Sequence, residues 1–105
     1  MSKGNITIKY LQEYIKSKDY NPGAEKDYFL KLTVEVGELA EAMRKNLRPV
    51  DKNQVKETIE EELWDVIYYA IALANCYDIV LEQVIPNKEN TNNEKYNPGV
   101  VFKLN

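Results

Sequence analysis

Glu35 and Glu38 stand three residues apart, and so do Glu62 and Asp65. Residues three apart on a helix are surface neighbours, so each pair sets two carboxylates on one face. At about 100° per residue, Glu35 and Glu38 lie roughly −60° and −120° from Leu32. Glu62 and Asp65 hold the same offsets, roughly −60° and −120°, from Ile59. If the two helices form an antiparallel hairpin on a common core, a local two-fold relates these flanks. Both pairs then point inward together or outward together, and spacing alone leaves the two cases open.

The inward case has definite chemistry. Two like charges 4 Å apart cost about 4 kcal/mol at an effective dielectric near 20. Four carboxylates in one groove therefore need a cation, or some of them must protonate. Oxygen donors without His or Cys select hard ions, Mg²⁺ or Mn²⁺ before Zn²⁺. Magnesium held by carboxylates and waters takes substrate phosphates as further ligands. The implied reaction is metal-assisted attack of water on a phosphate or pyrophosphate. In the outward case the same residues are solvated helix surface. Helical ion pairs do not account for Glu35, Glu38 and Asp65, because Leu39, Ala42 and Tyr69 occupy their i+4 positions.

Other residues fall near this flank. Lys31 precedes Glu35 by one turn and either reaches a phosphate or pairs with Glu35. Tyr69 follows Asp65 by one turn and either stacks on a base or fills the core. Trp64 and Tyr68 read as packing or interface residues, and Asn75 and Cys76 as structural ones. Gly37 reads as a point of close helix approach, since glycine inside a helix costs about 1 kcal/mol against alanine.

The elements that must hold these groups are helical. Four segments have helical character, and none alternates at period two. The first runs from about Ile6 to Asp19, and Asn21-Pro22-Gly23 ends it. The second runs from about Ala24 to Asn46, with an apolar stripe of Leu32, Val36, Leu39 and Met43. The third runs from about Asn53 to Tyr77, with Ile59, Leu63, Val66, Ala70, Leu73 and Tyr77 as its stripe. The fourth runs from about Val80 to Asn90, and Pro86 should start, kink or stop it. Beyond it the text is turn-rich, and Val100, Val101 and Phe102 read as an extended tail. The expected fold is all-α, a four-helix bundle on a long antiparallel hairpin, completed by self-association. The expected organisation is one domain over 1–105: helix and turn at 1–22, hairpin and fourth helix at 24–91, tail at 92–105.

Composition narrows the function classes. A chain of 105 residues with 44% apolar types supports a single core. Its 17 acids against 14 bases give a net charge of −3, which offers no electrostatic footprint for nucleic acid. There is no histidine, so His bases, His-built zinc sites and Ser-His-Asp triads are excluded. Cys76 is the one cysteine, so no intrachain disulfide forms. No apolar run approaches a membrane span, and Met1 to Tyr10 does not read as a signal peptide. A cytoplasmic domain that binds neither membrane nor nucleic acid is expected.

Glu35-Val36-Gly37-Glu38-Leu39-Ala40-Glu41-Ala42, followed by Glu61-Glu62-Leu63-Trp64-Asp65-Val66, resembles the MazG-like nucleotide pyrophosphohydrolases of the all-α NTP pyrophosphatase superfamily. The resemblance covers roughly Tyr28 to Pro98. It implies a Mg²⁺-dependent split of (deoxy)nucleoside triphosphates into monophosphate and pyrophosphate, with Mn²⁺ as a substitute ion. It implies that Glu35, Glu38, Glu62 and Asp65 ligate the metal, and that one of these or Glu61 polarises the attacking water. It sets Lys31, Lys88, Asn92, Lys95 and Tyr96 where such proteins contact phosphates or close the site, it favours the substrate-binding reading of Tyr69, and it implies a homodimer or homotetramer. Many members carry Glu where this chain has Val34. That departure keeps a second class open, a non-catalytic helical module that binds nucleotide or a protein partner.

Overall fold

A computed structural model describes residues 4–96, 99 and 101–103; the side chains of residues 92–96 lie outside that description. Among these described residues four helices follow in order: α1 (Ile8–Lys18), α2 (Glu25–Arg44), α3 (Ile59–Cys76) and α4 (Leu81–Tyr96). Among the described residues there is no strand, and the fold is all-α.

Each start has a local cause. Thr7 caps α1 by accepting from the Tyr10 N–H at 3.0 Å, and Lys16 and Lys18 sit in the last turn, where cations suit the dipole. Gly23, with φ +96°, supplies the left-handed step that turns the chain into α2. Thr58 caps α3 by accepting from the Glu61 N–H. Asp78, with φ +55°, turns α3 into α4, and the Ile79 N–H returns to the Ala74 carbonyl at 3.0 Å. From that turn α4 departs at 103° to α3.

Two boundaries differ from the sequence reading. The third helix starts at Ile59, not near Asn53, because residues 45–58 form a long looped connection in which Glu57 is left-handed. The fourth helix runs through Pro86 to Tyr96. Proline inside it removes one i→i−4 bond without ending the helix, so the segment expected as tail from 92 begins as helix. In the remaining tail, Val101 is exposed and Phe102 half-buried, whereas Val100 lies outside the described residues.

α2 packs along α3, α1 lies on α3, and α4 rests on α1. The core gathers Ile15, Tyr28, Ile71, Ala72 and Cys76, with Ile8, Leu11, Tyr68, Tyr69 and Leu73 around them. It sits where α1 crosses the hairpin. A polar lock fastens α4 there: Gln12 Nε2 donates to Asn75 Oδ1 at 2.9 Å and to the Ile79 carbonyl at 2.8 Å. Gln12 Oε1 accepts from the Leu81 N–H at 2.9 Å, and Asn75 Nδ2 donates to the Gln12 carbonyl at 3.1 Å.

The hairpin seam is rotated from the apolar stripes. On α2 the packed side is Tyr28, Leu32, Glu35, Leu39 and Ala42, while Val36 and Met43 are exposed, Met43 by 59%. On α3, Glu62 is buried, while Leu63, Ile67 and Tyr77 are exposed. The carboxylate flank therefore faces inward, and part of each stripe faces outward. Gly37 does not mark a close approach: it is exposed, and a Cβ there meets nothing within 4 Å.

Candidate functional site

Glu35 projects from the middle of α2, and Glu62 and Asp65 from the first turns of α3. One carboxylate oxygen from each lies within 4.8 Å of the others. Glu62 is only 7% exposed, and Glu35 and Asp65 are half-buried. Glu35 Oε2 and Glu62 Oε2 are buried and lack a hydrogen-bond partner. Buried carboxylate oxygens without donors are costly, and either a cation or protonation of a carboxyl relieves them.

The electrostatics say the same. Burial first, then the charges of Glu38 and Asp65, push the Glu35 carboxyl up to about 7. Burial and the same two charges raise Glu62. Burial, then Glu61 and Glu38, raise Asp65. Every resolved shift in the trio runs against ionisation, as mutual repulsion in a partly dry groove requires. The donor set is oxygen only, which fits a hard divalent ion such as Mg²⁺ or Mn²⁺.

The other residues expected at the site divide. Glu38 stands exposed one turn along α2, outside the close trio, though its charge acts on all three members. Glu61 also lies outside the trio. Its Oε1 accepts from the Glu57 N–H at 2.9 Å while its own N–H donates to Thr58 Oγ1, a reciprocal cap that fixes the start of α3. The Thr58-x-x-Glu61 spacing carries that signal in the sequence. Lys31 does not resolve into a simple pair with Glu35: its Nζ stands 5.8 Å from the centre of the Tyr69 ring. Lys31 and Tyr69 thus meet across the hairpin beside the carboxylates. Tyr69 lies edge-on to Tyr68, and Tyr68 edge-on to Trp64, so those two do serve packing.

Lys88 is exposed on α4, whose packing partner is α1, so it is not gathered with the trio. Asn92, Lys95 and Tyr96 fall in the last turns of α4, and their side chains lie outside the described residues. Val34 is exposed on α2. A cleft of about 750 Å³ opens beside the loop from Arg48 to Thr58, with Glu61 at its edge. It does not include the trio.

Residues 24–97 match the MazG nucleotide pyrophosphohydrolase domain. The crystal structure of iMazG from Vibrio DAT 722, in its Ntag form, aligns with a TM-score of 0.79 at 42% identity, covering 88% of this chain and 99% of that one. The Ctag form aligns with a TM-score of 0.77 at 41% identity, covering 83% of this chain and 98% of that one. No curated protein matches.

Proposed function

This chain belongs to the MazG nucleotide pyrophosphohydrolase family, and from that premise we propose that it hydrolyses (deoxy)nucleoside triphosphates to the monophosphate and pyrophosphate with Mg²⁺. The observation that carries the reading is the inward convergence of Glu35, Glu62 and Asp65, two of them with orphaned buried oxygens. These three carboxylates would hold the ion, with Glu38 at the rim as a fourth donor. Mg²⁺ there supplies charge neutralisation and a more acidic water.

The chain's own groups do the rest. The trio fixes the anionic end of the substrate at the loop-proximal half of the hairpin. One of its carboxylates, or Glu61, takes the proton of the attacking water as the α–β phosphoanhydride breaks. Lys31 balances phosphate charge, and Tyr69 offers its ring to the sugar or base. Lys88, Asn92, Lys95 and Tyr96 are assigned to phosphate contact by the family resemblance alone. Since α4 packs on α1 and the outward stripe of Val36, Met43, Leu63 and Ile67 lacks a cover, the working unit is a homodimer or homotetramer.

The test is a panel of nucleoside triphosphates with Mg²⁺ and products identified by mass. Monophosphate and pyrophosphate are expected from the wild type. Glu62→Gln and Glu38→Ala should lose at least the roughly 100-fold that outer-shell partners of a metal already carry. A wild type that is inactive on the whole panel, or variants as active as the wild type, would overturn the reading.

A further inference from the structure

We propose that the cleft between α1 and the α3–α4 turn binds a free basic amino acid, at a site separate from the carboxylates. The cleft has a volume of about 470 Å³, a size that suits a small molecule. Asn75 on its floor lies ten residues beyond Asp65 on α3, about 15 Å along the axis. The site therefore stands apart from the acidic groove and does not depend on the function proposed above.

The floor has its hydrogen bonds made, since Gln12 spends both ends of its amide on Asn75, the Ile79 carbonyl and the Leu81 N–H. Beside it, Ile79 and Val80 are 39% and 48% exposed and form an apolar ledge. Recognition of polar groups falls to the rim. On α1, Lys9, Glu13 and Lys16 share the face of Gln12, because positions i, i+3, i+4 and i+7 stack on one side of a helix. Opposite them, Asp78 comes from the turn and Glu82 from the first turn of α4. Among the described residues none of these five is in an ion pair, whereas Glu41, Arg44, Lys45, Arg48 and Glu60 are. The Lys16 Nζ rests only against a ring, 4.7 Å from the centre of Tyr20. The rim thus keeps two cations and three anions for a ligand. Their complement is one carboxylate and two ammonium groups joined by an apolar stem. The carboxylate bridges the lysines, the stem lies on Ile79 and Val80, and the ammonium groups meet the acids. A basic amino acid has that composition, and its single net positive charge balances the excess acid. A nucleotide does not fit, because its phosphates would face three carboxylates.

Isothermal titration of the intact protein with L-lysine tests this. One site is expected, at least roughly tenfold tighter than for norleucine, which lacks the second ammonium, or cadaverine, which lacks the carboxylate. Lys9→Met keeps the stem and removes the charge, so it should weaken L-lysine at least roughly tenfold and leave cadaverine no weaker. Asp78→Asn tolerates the left-handed backbone at φ +55° and should weaken both ligands. Melting temperatures near that of the wild type show that the variants are folded; if one is not, the ligand series on the wild type decides. Backbone amide shifts on adding L-lysine should centre on Ile79 and Leu81. No saturable binding at millimolar L-lysine, equal affinity for norleucine or cadaverine, or a folded variant that binds as the wild type does overturns the assignment. Shifts centred on Glu35 and Asp65 overturn it too, since an ammonium would then be filling the carboxylate groove.

Discussion

Glu62→Gln should stabilise the metal-free protein while destroying its response to Mg²⁺. Glu62 is buried with Oε2 unpartnered, and oxygens of Glu35, Glu62 and Asp65 lie within 4.8 Å of one another. Two unit charges at that separation repel by about 3 kcal/mol at an effective dielectric near 20. Burial and the neighbouring carboxylates push the Glu35 carboxyl up to about 7, so at pH 8 little of this is relieved by protonation. The glutamine keeps the shape, removes one charge and offers an N–H₂ donor to the remaining carboxylates. A gain of about 1 to 3 kcal/mol follows, and each kcal/mol moves the melting temperature of so small a domain by about 4–8 °C. Saturating Mg²⁺ should reverse the order, because the wild type gains the linkage free energy of an ion that binds only its folded state. Scanning calorimetry at pH 8, with chelator and then with Mg²⁺, reads both halves. A variant that melts at or below the wild type in chelator would refute the picture of a strained, inward-facing carboxylate cluster.

The metal-free wild type should lose stability as pH rises from 5 to 8. The folded state holds the Glu35 proton up to about 7, whereas the unfolded chain releases it near the ordinary glutamate value of 4.5, so stability present below 4.5 is lost through about 7. The full effect is about 3 kcal/mol, readable in urea midpoints with chelator; a flat or rising profile would contradict it. Gln12→Ala should cost about 2 to 3 kcal/mol by orphaning Asn75 Oδ1, the Ile79 carbonyl and the Leu81 N–H. Amide exchange at Leu81 should accelerate while Mg²⁺ affinity holds, since the carboxylates sit turns away on α3. Pro86→Ala should restore the bond to the Glu82 carbonyl and stabilise α4 by about 1 to 3 kcal/mol in chemical denaturation.

The helical periodicity made α1, α2 and α3 legible, and the equal offsets of the acidic pairs showed that they would share a direction. Which direction was hidden, because apolar stripes were available on the neighbouring faces. Val36, Met43, Leu63 and Tyr77 are apolar at helical spacing, yet they face outward. Period alone cannot tell a seam inside one chain from a face that another surface covers. The local two-fold holds for Glu35 and Glu62, which both enter the seam. It fails one turn on, where Asp65 converges and Glu38 stays at the rim. The family resemblance drew attention to Glu61, but its N–H bond to Thr58 and its carboxylate's bond from the Glu57 N–H are a nearer neighbour effect, of which the Thr58-x-x-Glu61 spacing encodes the first. Lys31 against Tyr69 was out of reach, since the contact joins two helices whose register only the packed hairpin sets.

The connection from 45 to 58 offers a site for engineering. Its ends are tied where the Ile59 N–H meets the Leu47 carbonyl at 2.9 Å and Arg48 pairs with Glu60. Its tip is a turn in which the Gln54 N–H bonds the Asp51 carbonyl. Doubling the length of a flexible loop adds only about 0.6 kcal/mol of closure entropy. Extra residues spliced between Asp51 and Gln54 would therefore leave the anchored stem unchanged. A fluorophore or affinity peptide placed there would report on the protein without disturbing the hairpin's two long helices.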